Sequence, residues 1–325
     1  MEKKEKRISF GPVPSRRLGQ SMGINNIPPK ICTYSCIYCQ LGRTSNQIID
    51  RKSFYTIEDV NFAVSKKIKE ATEHDENIDY LTFVPDGEPT LDINLGREIQ
   101  SLKSLKIKIA VITNSSLLWR KEVRDELLKA DCVSLKIDAV NENIWKKIDR
   151  PHKSLKHNKI LSGMVEFSRD FQGNLITETM LIKDLNNNTK ELEKIADFIS
   201  NLNPDKSYIS IPIRPPAEKW AVAANEFNIN IGYQFLIERG IDTEFLTGYE
   251  GNAFAFTGDV ERDLLCITSV HPMREDGIKK FLLKSKSDWK VIEKLLEENK
   301  LVEINYKNKK FYIRNFQKKI EVEEK

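Results

Sequence analysis

Three cysteines within eight positions, Cys32, Cys36 and Cys39, are the residues whose type and spacing most clearly predict chemistry. Cys-x3-Cys-x2-Cys brings three thiolates onto one tight loop, where they can bind three irons of a cubane iron–sulfur cluster. The fourth iron then lacks a protein ligand and offers a coordination position to a small molecule. A zinc knuckle is the alternative, but zinc takes four closed ligands or three plus water. No further Cys or His follows at metal-ligand spacing, since the histidines stand at positions 74, 152, 157 and 271.

The elements that position this loop are predicted from short β-rich apolar runs that alternate with longer helix-spaced stretches. The predicted strands are 80–85, 108–113, 132–137, 175–181 and 208–213, with another before the cysteines. The predicted helices are 56–74, 91–105, 121–129, 154–171 and 189–203. We therefore expect an α/β fold over residues 1–216, a partial (β/α)6 barrel with fewer units than the eight of a closed barrel.

Polar residues follow several of these strands directly. Ligands of β/α barrels bind at the carboxyl ends of the strands, so residues 86–90 and Asn114 are site candidates by position. Ser134, Lys136 and Asp138 alternate along one strand and point the same way, into the barrel, where they need polar partners. The alternatives are helix N-caps or turns for the single residues and a solvent-exposed strand face for the alternating set.

The stretch ICTYSCIYCQLGRT, followed later by VPDGEPTL, resembles the radical SAM superfamily over roughly residues 8–215. The resemblance implies a [4Fe–4S] cluster on the three cysteines, with S-adenosylmethionine (SAM) bound at the open iron through its amino and carboxylate groups. The family's GGE motif, whose backbone contacts the SAM amino group, corresponds here to Asp86, Gly87, Glu88 and Pro89, with Asp in place of the first Gly.

The same resemblance predicts an enzyme that cleaves SAM reductively to a 5′-deoxyadenosyl radical after reduction by a partner such as ferredoxin or flavodoxin. Tyr38 is then expected to lie against the adenine. Together with the strand-end positions above, the predicted SAM contacts are completed by Asn114, Ser134, Lys136 and Asp138.

Three further residues are predicted to contact the substrate. Arg16 and Arg17 are adjacent and point in different directions, so at most one is expected to reach the site, and Arg16 is the one assigned. Glu178 is a lone carboxylate in an apolar strand, suited to bind SAM, to orient substrate or to pair with an inward lysine. Arg214 ends the last predicted strand, where it can contact an anion, although a surface arginine is the alternative. No catalytic acid or base stands out.

Past Pro215 and Pro216 the β/α rhythm ends, and residues 217–259 are interpreted as a linker or cap. Residues 260–316 predict a separate small domain with helices at 272–283 and 288–299 and a hairpin with Lys307–Lys309 at its tip, the outline of a winged helix. His271 is expected to act structurally at the start of the first of these helices. Residues 317–325 are expected to be a frayed tail.

The sequence leaves three hypotheses open, and the first two differ in the class of macromolecule that is modified. The segment FGPVPSRRLGQSMGI, together with the cysteine loop, resembles the tRNA wyosine synthase subgroup, which implies a tRNA or RNA substrate, but this chain has no cysteine before Cys32 to bind the second cluster of those enzymes. Modification or glycyl-radical activation of a protein or peptide is the second hypothesis, with the winged-helix-like unit as a docking module. A nucleic-acid-binding regulator without turnover is the third.

Composition restricts the setting. The formal charge of +4 is spread along the 325 residues and does not by itself imply nucleic acid. No apolar run approaches the roughly 18–20 residues needed to span a bilayer, and the basic start lacks an apolar segment behind it, so a cytoplasmic protein without membrane contact is expected. Cys132 and Cys266 stand alone in apolar stretches, which argues against a disulfide framework.

Overall fold

The computed structural model describes residues 8–246, 248 and 254–315. The predicted tail 317–325 and residues 247 and 249–253 of the predicted linker lie outside the described residues. In chain order the strands are β1 (Ser9–Ser15), β2 (Gly19–Ile24), β3 (Ile31–Cys32), β4 (Asn46–Gln47), β5 (Tyr80–Phe83), β6 (Lys108–Thr113), β7 (Cys132–Lys136), β8 (Asn174–Met180), β9 (Lys206–Ser210), β10 (Thr243–Leu246), β11 (Met273–Arg274), β12 (Leu301–Tyr306) and β13 (Lys309–Arg314). The helices are α1 (Ile57–Glu73), α2 (Leu95–Leu102), α3 (Lys121–Leu127), α4 (Glu142–Ile148), α5 (His157–Asp170), α6 (Thr189–Leu202), α7 (Glu226–Glu238), α8 (Val260–Val270), α9 (Glu275–Lys284) and α10 (Lys290–Glu297), with short 3-10 turns at Pro89–Leu91 and Lys103–Leu105.

Eight strands form one curled sheet in the order β1-β2-β5-β6-β7-β8-β9-β10. β1 is antiparallel to β2, whereas each later neighbour in this order is parallel to the one before it. The predicted partial α/β barrel is therefore confirmed. One strand was not predicted: β10 comes from the segment interpreted as a linker or cap and extends the sheet beyond residue 216.

The inward faces of the strands change character along their length, and this change creates the site. Side chains pointing into the barrel near the amino ends of the strands are apolar and form a buried cluster that includes Ala110, Cys132, Ile176 and Tyr208. Two or four residues further along the same faces, Lys136, Glu178 and Ser210 line a cavity. The barrel thus has a packed floor and a polar upper end, as the carboxyl ends of parallel strands require for a ligand site.

A smaller unit follows the barrel. It consists of α8, α9 and α10 with a three-stranded sheet in the order β11-β13-β12, packed around its own apolar cluster. The predicted order of two helices and a hairpin is present as α9, α10 and the β12–β13 hairpin. His271 does not open the first of those helices, since it caps the carboxyl end of α8, whose own length was not predicted.

The smaller unit is joined to α1 of the barrel by buried charges. Lys67 Nζ lies 2.8 Å from Asp263 Oδ1, and Arg262 pairs with Glu70. The backbone N of Phe256 donates to Glu76 Oε1 at 3.0 Å. These contacts fix how the unit sits beside the sheet.

Within the described residues, no helix combines the length and the apolar character needed to cross a bilayer.

Candidate functional site

Strand pairing at its base and backbone hydrogen bonds within it hold the cysteine loop in shape. β3 ends at Cys32 and pairs in parallel with β4, and Ile48 N donates to Cys32 O at 3.1 Å. Cys39 N donates to Cys36 O, and Gly42 N donates to Cys39 O, each at 3.1 Å. The backbone therefore holds the three thiols, and all three line one cavity of about 320 Å³.

Three cysteines on one loop are a donor set that suits a cubane cluster. Among the described residues, no three Cys, His, Asp or Glu side chains are placed to hold one metal ion together. A [4Fe–4S] cluster does not need this arrangement, because each cysteine binds a different iron. Burial raises the pKa of all three thiols, that of Cys32 to about 12. Since a coordinating metal deprotonates its thiol, formation of the thiolates depends on iron binding.

Backbone contacts hold the strand-end motif against the start of the cysteine loop. Lys30 N donates to Asp86 O at 2.7 Å, and Glu88 N donates to Ile31 O at 3.2 Å. A Cβ added to Gly87 would lie 1.9 Å from Ile31 O. Only glycine allows this approach, so Gly87 sets the distance between β5 and the cysteine loop and presents bare backbone to the cavity it lines.

Replacing Gly87 with alanine should push the cysteine loop away from β5. We expect a loss of about 1–3 kcal/mol in the free energy of unfolding, because the new methyl group meets backbone atoms that cannot rotate away, together with poorer retention of iron. The matched control is Gly232→Ala in α7, where the added Cβ meets only side-chain ends at 3.3–3.7 Å. Urea unfolding and iron analysis of both variants check this, and equal behaviour of the two would contradict it.

The side chain of Glu88 joins the ends of β5 and β6. Its Oε1 accepts hydrogen bonds from Thr90 Oγ1 and Thr113 Oγ1, both at 2.6 Å, and its Oε2 accepts from Asn114 N at 2.8 Å. Burial raises the pKa of this carboxyl, although these donors oppose the shift. Because both oxygens are engaged, Glu88 holds the turn at Asn114 in place, and its side chain serves the site by positioning.

Asn114 reaches from that turn to the cysteine loop. Its Nδ2 donates to Thr33 Oγ1 at 2.8 Å and lies 3.5 Å from Cys32 Sγ. Asn114 lines the cavity. The structure therefore places this predicted SAM contact beside Cys32.

Lys30 and Asp86 line the same cavity, and each has a buried polar atom that makes no hydrogen bond within the described residues. Lys30 Nζ lies 3.5 Å from Asp86 Oδ1, and neither Lys30 Nζ nor Asp86 Oδ2 has a hydrogen-bond partner among the described residues. Burial raises the pKa of Asp86 to about 6, against the opposing charge of Lys30. Such buried groups need polar partners, and an amino acid ligand such as SAM offers them. Sequence reasoning missed Lys30 because nothing in its spacing distinguishes it from a surface lysine.

Tyr38, within the cysteine loop, contacts the end of β7. Its hydroxyl donates to Asp138 and is 3.4 Å from Asp149 Oδ1, while Lys136 Nζ lies 5.0 Å from the centre of its ring. Asp138 Oδ1 also accepts from Met180 N at 2.7 Å. Tyr38 and Lys136 line the cavity, and Asp138 supports Tyr38 from behind.

A charged triad fills the inner end of the cavity. Glu178 accepts hydrogen bonds from Lys136 Nζ at 2.8 Å, from Ser210 Oγ at 2.9 Å and from Arg17. Burial alone would raise the pKa of Glu178, but the charges of Arg17 and Lys136 outweigh it and hold this pKa below its ordinary value. Two cations thus share the Glu178 carboxylate at this end of the cavity.

Four of the predicted site residues do not line the cavity. Arg16 was assigned to the substrate, but its guanidinium binds the carbonyls of Phe245 and Gly248, and Arg17 lines the cavity instead. Both arginines lie in the turn between β1 and β2. The sequence pattern does not predict the direction in which each side chain leaves this turn. Pro89, Ser134 and Asp138 are buried near the site and are not among the residues that line the cavity.

Arg214 connects the barrel, the cysteine loop and the smaller unit. Its Nη1 donates to Gln40 Oε1 at 2.8 Å, next to Cys39, and its Nη2 lies 2.9 Å from His271 Nε2. Burial, followed by the charge of Arg214, lowers the pKa of His271 well below its ordinary value, so the imidazole is neutral and accepts this hydrogen bond. His271 is therefore a neighbour of the site, a role that its position in the sequence did not indicate.

Comparison with known proteins gives consistent results. The profile of the Radical SAM superfamily matches residues 26–199. A UPF0026 protein of Methanocaldococcus jannaschii is 48% identical over 317 residues, which cover 95% of this chain and 96% of that protein.

Two solved structures share the barrel. A radical SAM methyltransferase from Sphaerobacter thermophilus aligns over 70% of this chain and 66% of its own, with 16% identity and a TM-score of 0.52. TYW1 with a lysine–pyruvate adduct bound aligns over 67% of this chain and 73% of its own, with 15% identity and a TM-score of 0.50. At these identities the likeness shows a common fold.

Proposed function

Because this chain belongs to the radical SAM superfamily, whose enzymes bind a [4Fe–4S] cluster and cleave SAM reductively, we propose that it uses this chemistry to modify an RNA. In this proposal Cys32, Cys36 and Cys39 hold the cluster, and SAM lies along the ends of β5, β6 and β7. When bound, the reduced cluster and SAM supply a 5′-deoxyadenosyl radical that removes a hydrogen atom from the substrate.

The residues of the chain bind and orient. The groups of Lys30 and Asp86 are suited to the amino acid part of SAM, because among the described residues Lys30 Nζ and Asp86 Oδ2 are buried without a hydrogen-bond partner. Gly87 lets the backbone approach the same part of the cavity. Tyr38 offers an aromatic face to the adenine, and Asp138 fixes its hydroxyl. The apolar floor of the barrel keeps water from the inner end of the cavity.

The observation that carries the choice of RNA is the position of the C-terminal hairpin. Tyr306 Oη and Lys307 Nζ both donate to Pro212 O, at 3.0 and 3.2 Å, and Pro212 lines the cavity. The hairpin follows α9 and α10 in the order of a winged helix, with Lys309 exposed beside its tip. A substrate that reaches the cavity at this edge passes lysine side chains, which suits a phosphate backbone.

A protein or peptide substrate is the second candidate, and the pairing of charges on the smaller unit favours it. Lys279 pairs with Glu275 at 2.5 Å and Lys310 with Glu303 at 3.0 Å, and Lys294 pairs with Glu261. A surface with balanced charge resembles the rim of a protein interface more than a nucleic-acid face.

Binding of total tRNA at several salt concentrations distinguishes the two substrates. We expect the affinity of the reconstituted enzyme to fall steeply with salt, and Lys309→Ala to weaken binding and reduce the slope of log K against log salt by about one. Lys279→Ala, whose charge is already paired, is the control. Turnover with SAM and dithionite should then change the mass of a nucleoside in the RNA. Salt-insensitive capture of a polypeptide without RNA binding would contradict an RNA substrate.

A further inference from the structure

A basic and aromatic surface covers the back of the cysteine loop, on the side away from the cavity. We call it the loop-back face and define it by Arg43, Arg150, Lys219, Trp220 and Val222. Trp220 and Val222 are 53% and 43% exposed, and the Arg43 side chain is 71% exposed. The guanidinium of Arg150 lies 6.0 Å from the centre of the Trp220 ring. None of these five residues lines the cavity.

One layer of structure separates this face from the cysteines. Ser35 N, next to Cys36, donates to Arg150 O at 3.2 Å, and Glu218 N donates to Ile37 O at 2.9 Å. The side chain of Ile37, between Cys36 and Tyr38, is fully buried in a small apolar cluster. The other buried members of that cluster are Ile148, Ile182 and Ala221. Because Trp220 and Val222 flank Ala221, the exposed residues lie directly over the loop that holds the cluster.

The face carries more positive than negative charge. Glu218 Oε1 lies 2.8 Å from Arg43 Nε and 2.6 Å from Arg150 Nη1, so one carboxylate is shared by two guanidinium groups. These bonds, first from Arg43 and then from Arg150, lower the pKa of Glu218, which therefore stays ionised. Lys219 adds an exposed ammonium next to the pair. Lys183 N donates to Val222 O at 2.9 Å, so another exposed lysine borders the face, with Asp184 beside it.

We propose that the loop-back face docks the protein that reduces the cluster, an acidic one-electron carrier, an assignment that rests on the proposed function. In the transfer, the carrier's reduced flavin gives one electron and becomes the semiquinone, and the oxidised cluster takes up that electron; no bond forms or breaks in this step. The cavity side of the loop is occupied by SAM and substrate in the proposed function, so the opposite side is the free approach to the cysteines.

The composition of the face fits such a partner. Tryptophan and arginine are the residues that most often dominate binding at protein interfaces. A basic surface steers an acidic partner toward it, and the effect falls with ionic strength. A brief electron-transfer encounter needs only a small interface, and Trp220 with the surrounding cations would form part of it.

The test uses a reduced flavodoxin as the probe and measures both binding and electron transfer. Lys219→Glu and Trp220→Ala should each weaken flavodoxin binding about tenfold, as expected for interface residues worth about 1–2 kcal/mol. Lys219→Glu should also slow association and flatten its salt dependence. Oxidation of the flavodoxin hydroquinone by the reconstituted enzyme should slow in parallel. The matched control is Lys69→Glu on α1, which reverses the charge of another exposed lysine away from the cysteine loop.

Dithionite separates this inference from the proposed function. It is small and needs no docking surface, so SAM cleavage driven by dithionite should be the same in the two variants and the wild type. Wild-type flavodoxin affinity in both variants, or a loss as large in Lys69→Glu, would overturn the docking assignment even if SAM is cleaved. Absence of SAM cleavage with dithionite in the wild type would instead contradict the proposed function, while the binding measurement would still decide where flavodoxin docks.

Discussion

Replacing Cys36 with alanine should give a folded protein that neither retains a [4Fe–4S] cluster nor cleaves SAM. The three cysteines are the only ones that line the described cavity, and loss of one thiolate leaves two irons of the cubane without a protein ligand. The same result is expected for Cys32→Ala and Cys39→Ala. Iron and sulfide analysis after anaerobic reconstitution measures it, with about four irons per chain expected in the wild type and near none in the variants.

The chain provides two matched controls for this experiment. Cys132 and Cys266 are buried in apolar clusters, at 1% and 5% exposure, on the floor of the barrel and beside Phe10. Cys132→Ala and Cys266→Ala should lose some stability, as small core residues do, and keep the cluster. A variant of Cys132 or Cys266 that loses iron as completely as Cys36→Ala would show that the assignment of the ligands is wrong.

Replacing Lys67 with methionine should destabilise the protein by about 3–5 kcal/mol, the largest stability effect expected outside the cysteine loop. The Lys67 and Asp263 side chains are only 5% and 2% exposed. Asp263 keeps its hydrogen bond from Thr257 N at 2.7 Å but loses its counter-ion, and a buried unpaired carboxylate is costly. Because this pair joins α1 to α8, the smaller unit should loosen from the barrel, and the hairpin should lose its place on Pro212. Urea unfolding measures the change.

Two further variants keep this prediction falsifiable. Lys69→Met on the same helix removes a lysine that is 78% exposed and 3.8 Å from Glu73, so a loss below about 1 kcal/mol is expected. The double variant Lys67→Met with Asp263→Leu removes both charges and should recover much of the stability lost in the single variant. If Lys67→Met and Lys69→Met unfold at the same urea concentration, the buried pair does not fix the unit.

The barrel was largely predictable because its strands are buried and strongly patterned. The predicted strand 108–113 is confirmed as β6, Lys108–Thr113, and the strands around it differ by a few residues at their ends. β10 was missed because its four residues, Thr243–Leu246, form too short a run to predict a strand from sequence. Its place in the sheet is decided by parallel pairing with β9, a contact between distant parts of the chain.

The site divides in the same way. Cys32, Cys36 and Cys39 could be found from their spacing, because one short loop brings them together, and the motif at Gly87 from its family resemblance and its place directly after a predicted strand. Lys30, Arg17 and His271 could not. Each reaches the site through tertiary placement: Lys30 through its backbone bond to Asp86, Arg17 through the direction of the β1–β2 turn, and His271 through the docking of α8 against Arg214.

One measurement decides whether the three cysteines support reductive cleavage of SAM. The protein is reconstituted anaerobically with iron and sulfide and incubated with dithionite and SAM, and 5′-deoxyadenosine is followed by mass spectrometry. We predict that 5′-deoxyadenosine forms with the wild type and is absent with Cys32→Ala, Cys36→Ala and Cys39→Ala. Formation of 5′-deoxyadenosine by any of these three variants, or none by a wild type that carries the cluster, would contradict it.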